Sequence, residues 1–133
     1  VMVPDGCYEQ SFLASASAQD LTNVYATIGG TDPSQLTGKG QEFVAKYRAK
    51  YGKEPEAYAI YGYEAAAVFL AAVRTAGTKD RAAILRACLA TRDFDGGVIG
   101  RWSFDADGDT SLQQLTISRV ENGRFVPQRT ITR

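Results

Sequence analysis

The chain has 133 residues, 44% hydrophobic and 23% charged, with Lys plus Arg equal to Asp plus Glu at 15 each. That is the length and mixture of one ordinary globular domain with enough apolar residues for a real core. The charge balance argues against the basic surplus of a nucleic-acid binder, no apolar run approaches the roughly 20 residues that span a bilayer, and the absence of histidine removes the commonest general base and metal ligand. No Ser-His-Asp triad can then be built from this chain alone. Its two cysteines, Cys7 and Cys88, make neither a four-thiolate zinc site nor a disulfide framework.

Val1 to Val3 reads as a short buried strand, ended by the turn signal Pro4-Asp5-Gly6. A chain that opens inside a strand, with no signal peptide, is expected to be a piece of something longer. Glu9 to about Leu21 is Ser- and Ala-rich, with Phe12, Leu13 and Ala16 at helical spacing. Val24 to Ile28 reads as a second strand stopped by Gly29-Gly30, and the polar stretch from Thr31 to Gly40 as a loop. Gln41 to Tyr51 is an amphipathic helix with Phe43, Val44, Tyr47 and Tyr51 on one face and Gly52 as its C-terminal cap.

Ala57 to Thr75 is the most apolar helix, with Ile60, Tyr63, Ala67, Leu70 and Val73 recurring near helical spacing. It is expected to be buried on more than one side, and Gly77 ends it. Asp80 is a candidate N-cap for a helix running to about Thr91, with Ile84, Leu85, Cys88 and Leu89 facing inward. Beyond Asp95-Gly96-Gly97 the period changes: Val98 to Phe104, Leu112 to Val120 and Phe125 to Ile131 read as strands of a β meander. Its last turn is Glu121-Asn122-Gly123. The order is that of an α/β chain.

Few motifs carry chemistry. Asp105-Ala106-Asp107-Gly108-Asp109 resembles a calcium loop, but the third acid follows the glycine, and Gln113 and Gln114 are the nearest long polar side chains downstream. A solvated turn that binds no metal tightly is the favoured reading. Gly38-Lys39 lacks the first glycine and the hydroxyl residue of a phosphate loop, and neither Gly-x-Ser-x-Gly nor Ser-x-x-Lys occurs. Tyr58, Tyr61 and Tyr63 suit either a core stripe or a cleft, since tyrosine offers an apolar face and a hydroxyl together. Asp5 ends a strand, where open α/β sheets place their ligands. It can hold a cation there, or serve only as a turn residue or cap.

Taken in order, Tyr51-Gly52-Lys53-Glu54-Pro55, Tyr61-Gly62-Tyr63-Glu64-Ala65-Ala66, Ala76-Gly77-Thr78-Lys79-Asp80-Arg81, Phe94-Asp95-Gly96-Gly97-Val98-Ile99-Gly100, Phe104 to Asp109 and Val120 to Val126 resemble the branched-chain amino acid-binding proteins. These are type I periplasmic solute-binding proteins of ABC transporters. The resemblance implies the C-terminal portion of a two-lobe α/β fold with Rossmann-like lobes and three crossovers. Residues 1–29 would be part of the second lobe, 30–110 part of the first, and 111–133 a return to the second. Gly29-Gly30 and Gly108 to Leu115 would be hinge crossings.

It further implies a receptor, not an enzyme, that binds an amino acid or similar small polar solute in an interlobe cleft. The receptor then docks on a membrane permease outside the cytoplasm, with no cofactor, metal or nucleic acid. Asp5 falls where the family places a carboxylate against the ligand's ammonium group, and is one methylene shorter than a Glu at that position in the family. Cys7 and Tyr8 would lie along the same wall, and the family's aromatic contact falls on Ile60 with Tyr61 beside it. The groups that clasp the ligand carboxylate lie upstream in the family. Two alternatives stay open: a sensory ligand-binding domain of the same fold, and a fragment that associates with itself and binds nothing.

Overall fold

The computed structural model describes residues 1–132. The chain divides into two compact units, one formed by Val1–Gln35 with the segment from Gln113 onward, the other by Leu36–Leu112.

The first unit holds a four-stranded sheet in the order β1-β2-β3-β4, with β1 at Met2–Val3, β2 at Tyr25–Gly29, β3 at Gln114–Glu121 and β4 at Arg124–Thr132. β1 and β2 run parallel; β2, β3 and β4 are antiparallel neighbours. Strand β1 is short and lies at the sheet edge. It is not the buried strand expected from its apolar sequence, because Met2 is exposed and only Val3 packs on the core. Its crossover to β2 contains α1, Gln10–Ala14, which is shorter than the sequence suggests. The Ser15 hydroxyl bonds back to the Phe12 carbonyl at 2.7 Å, and the Ser17 hydroxyl and N–H both donate to the Asp20 carboxylate. Such local bonds give the backbone an alternative to the helical ladder. Leu13, Leu21, Val24 and Val120 form this unit's core, with Phe12, Ala16 and Phe125 against it.

On β3 the buried positions are Thr116, Ser118 and Val120, while Leu115 is exposed. The polar stripe is inside because it has partners. The Thr116 hydroxyl donates to the Gly30 carbonyl at 2.6 Å, and Ser118 Oγ lies 2.7 Å from the Tyr8 hydroxyl. The β3–β4 hairpin turns on Asn122-Gly123, both at positive φ (51° and 69°), the type I′ geometry for which this dipeptide is favoured.

The second unit is mostly helical: α2 at Lys39–Tyr51, α3 at Ala59–Ala76 and α4 at Arg81–Leu89. The helices stop at Gly52, Gly77 and Ala90. Asp80 caps α4 as expected, its Oδ1 accepting the Ala83 N–H at 2.7 Å. Leu36, Ile60 and Val98 form the core, with Phe43, Val44, Tyr61 and Ile99 packed around them. Two expectations fail here. α3 buries Ile60, Glu64, Val68 and Ala72, a strict i, i+4 stripe, and leaves Tyr63 and Leu70 about half exposed (49% and 53%). On α4, Leu85 and Leu89 are exposed, not inward.

The stretch from Val98 to Phe104 is also not a strand. Among the described residues it makes only isolated bridges, Phe94 with Trp102 and Phe104 with Thr110. The expected meander therefore reduces to one hairpin.

Candidate functional site

In the first unit, β1 ends in a single 3-10 turn over Asp5–Cys7. Asp5 lies exposed on it, and Asp5 Oδ1 accepts the Gly6 N–H at 2.9 Å. Cys7 is half-buried. Tyr8 turns inward and is only 4% exposed. Its ring stacks on Phe125 with centroids 4.3 Å apart. Its hydroxyl donates to Asp32 Oδ2 at 2.8 Å and pairs with Ser118 Oγ at 2.7 Å.

Asp32 is itself buried, and its other oxygen accepts the N–H of Ser34 at 2.8 Å and the Ser34 hydroxyl. Burial, reinforced by the adjacent Asp32 carboxylate, pushes the Tyr8 hydroxyl well above the usual tyrosine range against the opposing effect of the Ser118 bond. Of the three neighbouring positions, Asp5 thus presents a charge at the surface, Cys7 is partly covered, and Tyr8 anchors the turn from inside.

In the second unit, Ile60 and Tyr61 lie on the first turn of α3. Ile60 has no exposed surface and belongs to the core. Tyr61 is half-buried against that core. Tyr58 and Tyr63 are exposed at 43% and 49%, which removes the core-stripe reading for those two.

One turn further along α3 stands a residue that the sequence reading passed over. Glu64 is 3% exposed. Its Oε2 accepts the N–H groups of Val98 at 2.6 Å and Ile99 at 3.3 Å, and its Oε1 accepts the indole N–H of Trp102 at 2.7 Å. Taking a carboxylate out of water costs several kcal/mol unless it is hydrogen-bonded, and bonds to an ionised acceptor are shorter and stronger than neutral ones. The available signal was a lone acid inside an otherwise apolar helix.

The acidic turn after Phe104 is built from its own backbone. Asp105 Oδ1 accepts the N–H groups of Asp107 and Asp109, each at 2.9 Å, and the Asp105 N–H donates to the Asp109 carbonyl at 2.8 Å. The carboxylate that would lead a calcium loop is thereby engaged by amides. Among the described residues, no helix is long and apolar enough to cross a membrane.

A family model described as periplasmic binding protein matches residues 1–124. The chain belongs to the periplasmic binding protein family. Within it, the chain is 32% identical over 111 residues to the Leu/Ile/Val-binding protein homolog 1 of Brucella abortus (strain 2308), a match covering 84% of this chain and 29% of the relative.

Two solved structures are similar over nearly all of the chain. The leucine-binding protein LivK of Thermotoga maritima superposes with a TM-score of 0.85 at 28% identity, covering 98% of this chain and 36% of that one. The branched-chain amino acid transporter substrate-binding protein LivJ of Streptococcus pneumoniae, in complex with isoleucine, gives 0.84 at 28% identity, covering 99% of this chain and 37% of that one. The chain thus spans about a third of the length of the periplasmic binding proteins it matches. Its fold is a portion of theirs.

Proposed function

We propose that this chain is part of a solute-binding receptor that serves an ABC transporter, with a branched-chain amino acid or similar small polar solute as ligand. The observation that supports this most is the backbone agreement with a leucine-binding protein and with an isoleucine complex, at TM-scores of 0.85 and 0.84. In this reading the unit of Val1–Gln35 with the segment from Gln113 onward belongs to one lobe and Leu36–Leu112 to the other, so the crossings fall at residues 35–36, a few positions beyond Gly29-Gly30, and at 112–113, within Gly108 to Leu115. Asp5 meets the solute's ammonium group, with Cys7 beside it, and Tyr61 offers an aromatic face. Tyr8 and Ile60, both buried, support these positions from behind. The receptor acts outside the cytoplasm and hands its solute to a membrane permease. Its task is capture, not catalysis.

The test is isothermal titration of the full-length protein with L-leucine, L-isoleucine and L-valine. One-site binding of at least one of them is the expected result. No heat with any of the three, and none with other amine-bearing solutes, overturns the reading.

Expressed by itself, this chain is expected to associate with its own copies. Phe69 and Leu70 on α3 and Leu85 and Leu89 on α4 are 45–59% exposed, and apolar surface of this kind marks contact sites or aggregation when it is contiguous. Light scattering that returned a monodisperse monomer would contradict this.

A further inference from the structure

We propose that Glu64 is a positioning residue for solute binding: it latches the segment from Gly97 to Trp102 onto α3 and so fixes the surface on which Tyr61 rests. The role in binding depends on the solute-receptor reading above; the latch itself does not.

The argument starts from what holds that segment. Its sequence is strand-like, yet among the described residues it has no strand partner beyond the Phe94–Trp102 bridge. Buried backbone donors must find acceptors, and here one side chain supplies them. Glu64 takes the N–H groups of Val98 and Ile99 on one oxygen and the Trp102 indole on the other. The same short segment carries Val98 into the core beside Ile60, and places Ile99 against that core together with Tyr61. Ile60 and Glu64 are one helical turn apart on the same face of α3. The carboxylate therefore ties down the backbone that carries Val98 into the cluster with Ile60 against which Tyr61 packs.

Gly97 shows how closely the two are fitted. Any side chain there would overlap both oxygens and the carboxyl carbon of Glu64, so the glycine is required by the approach of the carboxylate and not by its own backbone angles. The donor set is also specific to a carboxylate. Three N–H groups converge on two acceptor oxygens, whereas a glutamine would turn an NH2 toward either Trp102 or the Val98–Ile99 pair.

The experiment compares wild type, Glu64→Gln and Gly97→Ala in the full-length protein. Hydrogen exchange is followed at the Val98 and Ile99 amides and at the indole of Trp102, the single tryptophan of this chain. L-isoleucine is titrated calorimetrically into each protein. Both variants are expected to lose slow exchange at the three protons and to bind L-isoleucine at least tenfold more weakly, with stoichiometry unchanged.

Positioning is separated from mere stability by measuring each variant's folded fraction by denaturant titration. Irreversibly misfolded molecules lower the stoichiometry at unchanged Kd, and a reversible unfolding equilibrium raises the apparent Kd only by the reciprocal of the folded fraction; a loss of affinity no larger than that overturns the positioning role. Slow exchange retained in both variants overturns the latch. Unchanged affinity, or reduced stoichiometry at unchanged affinity, overturns the positioning role, even where one variant folds poorly. If wild type binds none of the branched-chain amino acids, the receptor reading fails and with it the role in binding. The exchange data then decide the latch by themselves.

Discussion

Asp5→Asn is expected to weaken binding of an amine-bearing solute by the full-length protein by about 2–5 kcal/mol, the usual loss when one partner of a desolvated charge pair is removed. The substitution suits the question because it removes the charge and keeps the shape. Asp5 Oδ1 accepts the Gly6 N–H at 2.9 Å, and an asparagine carbonyl can accept the same bond. The turn over Asp5–Cys7 also keeps its backbone bonds, from Cys7 N–H to the Pro4 carbonyl at 3.0 Å and from Tyr8 N–H to the Asp5 carbonyl at 2.8 Å. Stability should therefore move less than affinity, and denaturant titration of both proteins measures it. A large drop in affinity at unchanged stability assigns the carboxylate to the ligand. Calorimetry that gave the wild-type affinity would remove Asp5 from the site, and a solute lacking an amine should be indifferent to the change in either case.

Much of the fold was legible in the sequence because its punctuation is strong. Gly52, Gly77, Asp80 and Asn122-Gly123 each mark a boundary that the structure keeps, and the order of motifs pointed to the family. What misled was apolarity read without partners. α3 is apolar nearly all round, so hydrophobic spacing could not select its inner face. The stripe chosen through Tyr63 and Leu70 is about half exposed, and the buried stripe contains a glutamate. The residues from Val98 to Phe104 have strand composition, but Glu64 accepts the N–H groups of Val98 and Ile99 that a neighbouring strand would otherwise use. A side-chain acceptor 34 positions away is invisible to local pattern.

The same blindness applies to β3. There Thr116 and Ser118 are fully buried in place of Leu115, because Gly30 supplies a carbonyl to Thr116 and Tyr8 a hydroxyl to Ser118. Of the candidate site, the surface position of Asp5 follows from its turn chemistry. The buried positions of Tyr8 and Ile60 depend on long-range packing that a strand-end argument does not contain.

Tyr8→Phe is expected to destabilise the protein by about 1–3 kcal/mol, the cost of leaving buried polar groups without a partner. The ring would keep its stacking on Phe125 at 4.3 Å, so little packing is lost and the effect reports the hydroxyl. Two groups lose it at once. Ser118 Oγ, fully buried, loses its 2.7 Å partner. The buried Asp32 carboxylate loses a donor at 2.8 Å and retains Ser34. A carboxylate is the worse group to leave underbonded, so most of the loss should come from Asp32, and Asp32→Asn combined with Tyr8→Phe should cost less than the sum of the two single changes.

A pH signature separates this network from an ordinary cavity. The Tyr8 hydroxyl is held above its usual value of 10.0 by burial first and by Asp32 in support. A tyrosine whose folded form resists ionisation contributes stability that is complete below the unfolded value. The contribution is lost as the pH climbs above it, because the unfolded chain releases the proton first. Wild type should accordingly lose stability as the pH rises above about 10, and Tyr8→Phe should show a shallower decline over the same interval. Denaturant titrations of both proteins between neutral pH and pH 11 decide it: parallel curves would mean that Tyr8 ionises as freely folded as unfolded, and the buried network would then not be closed.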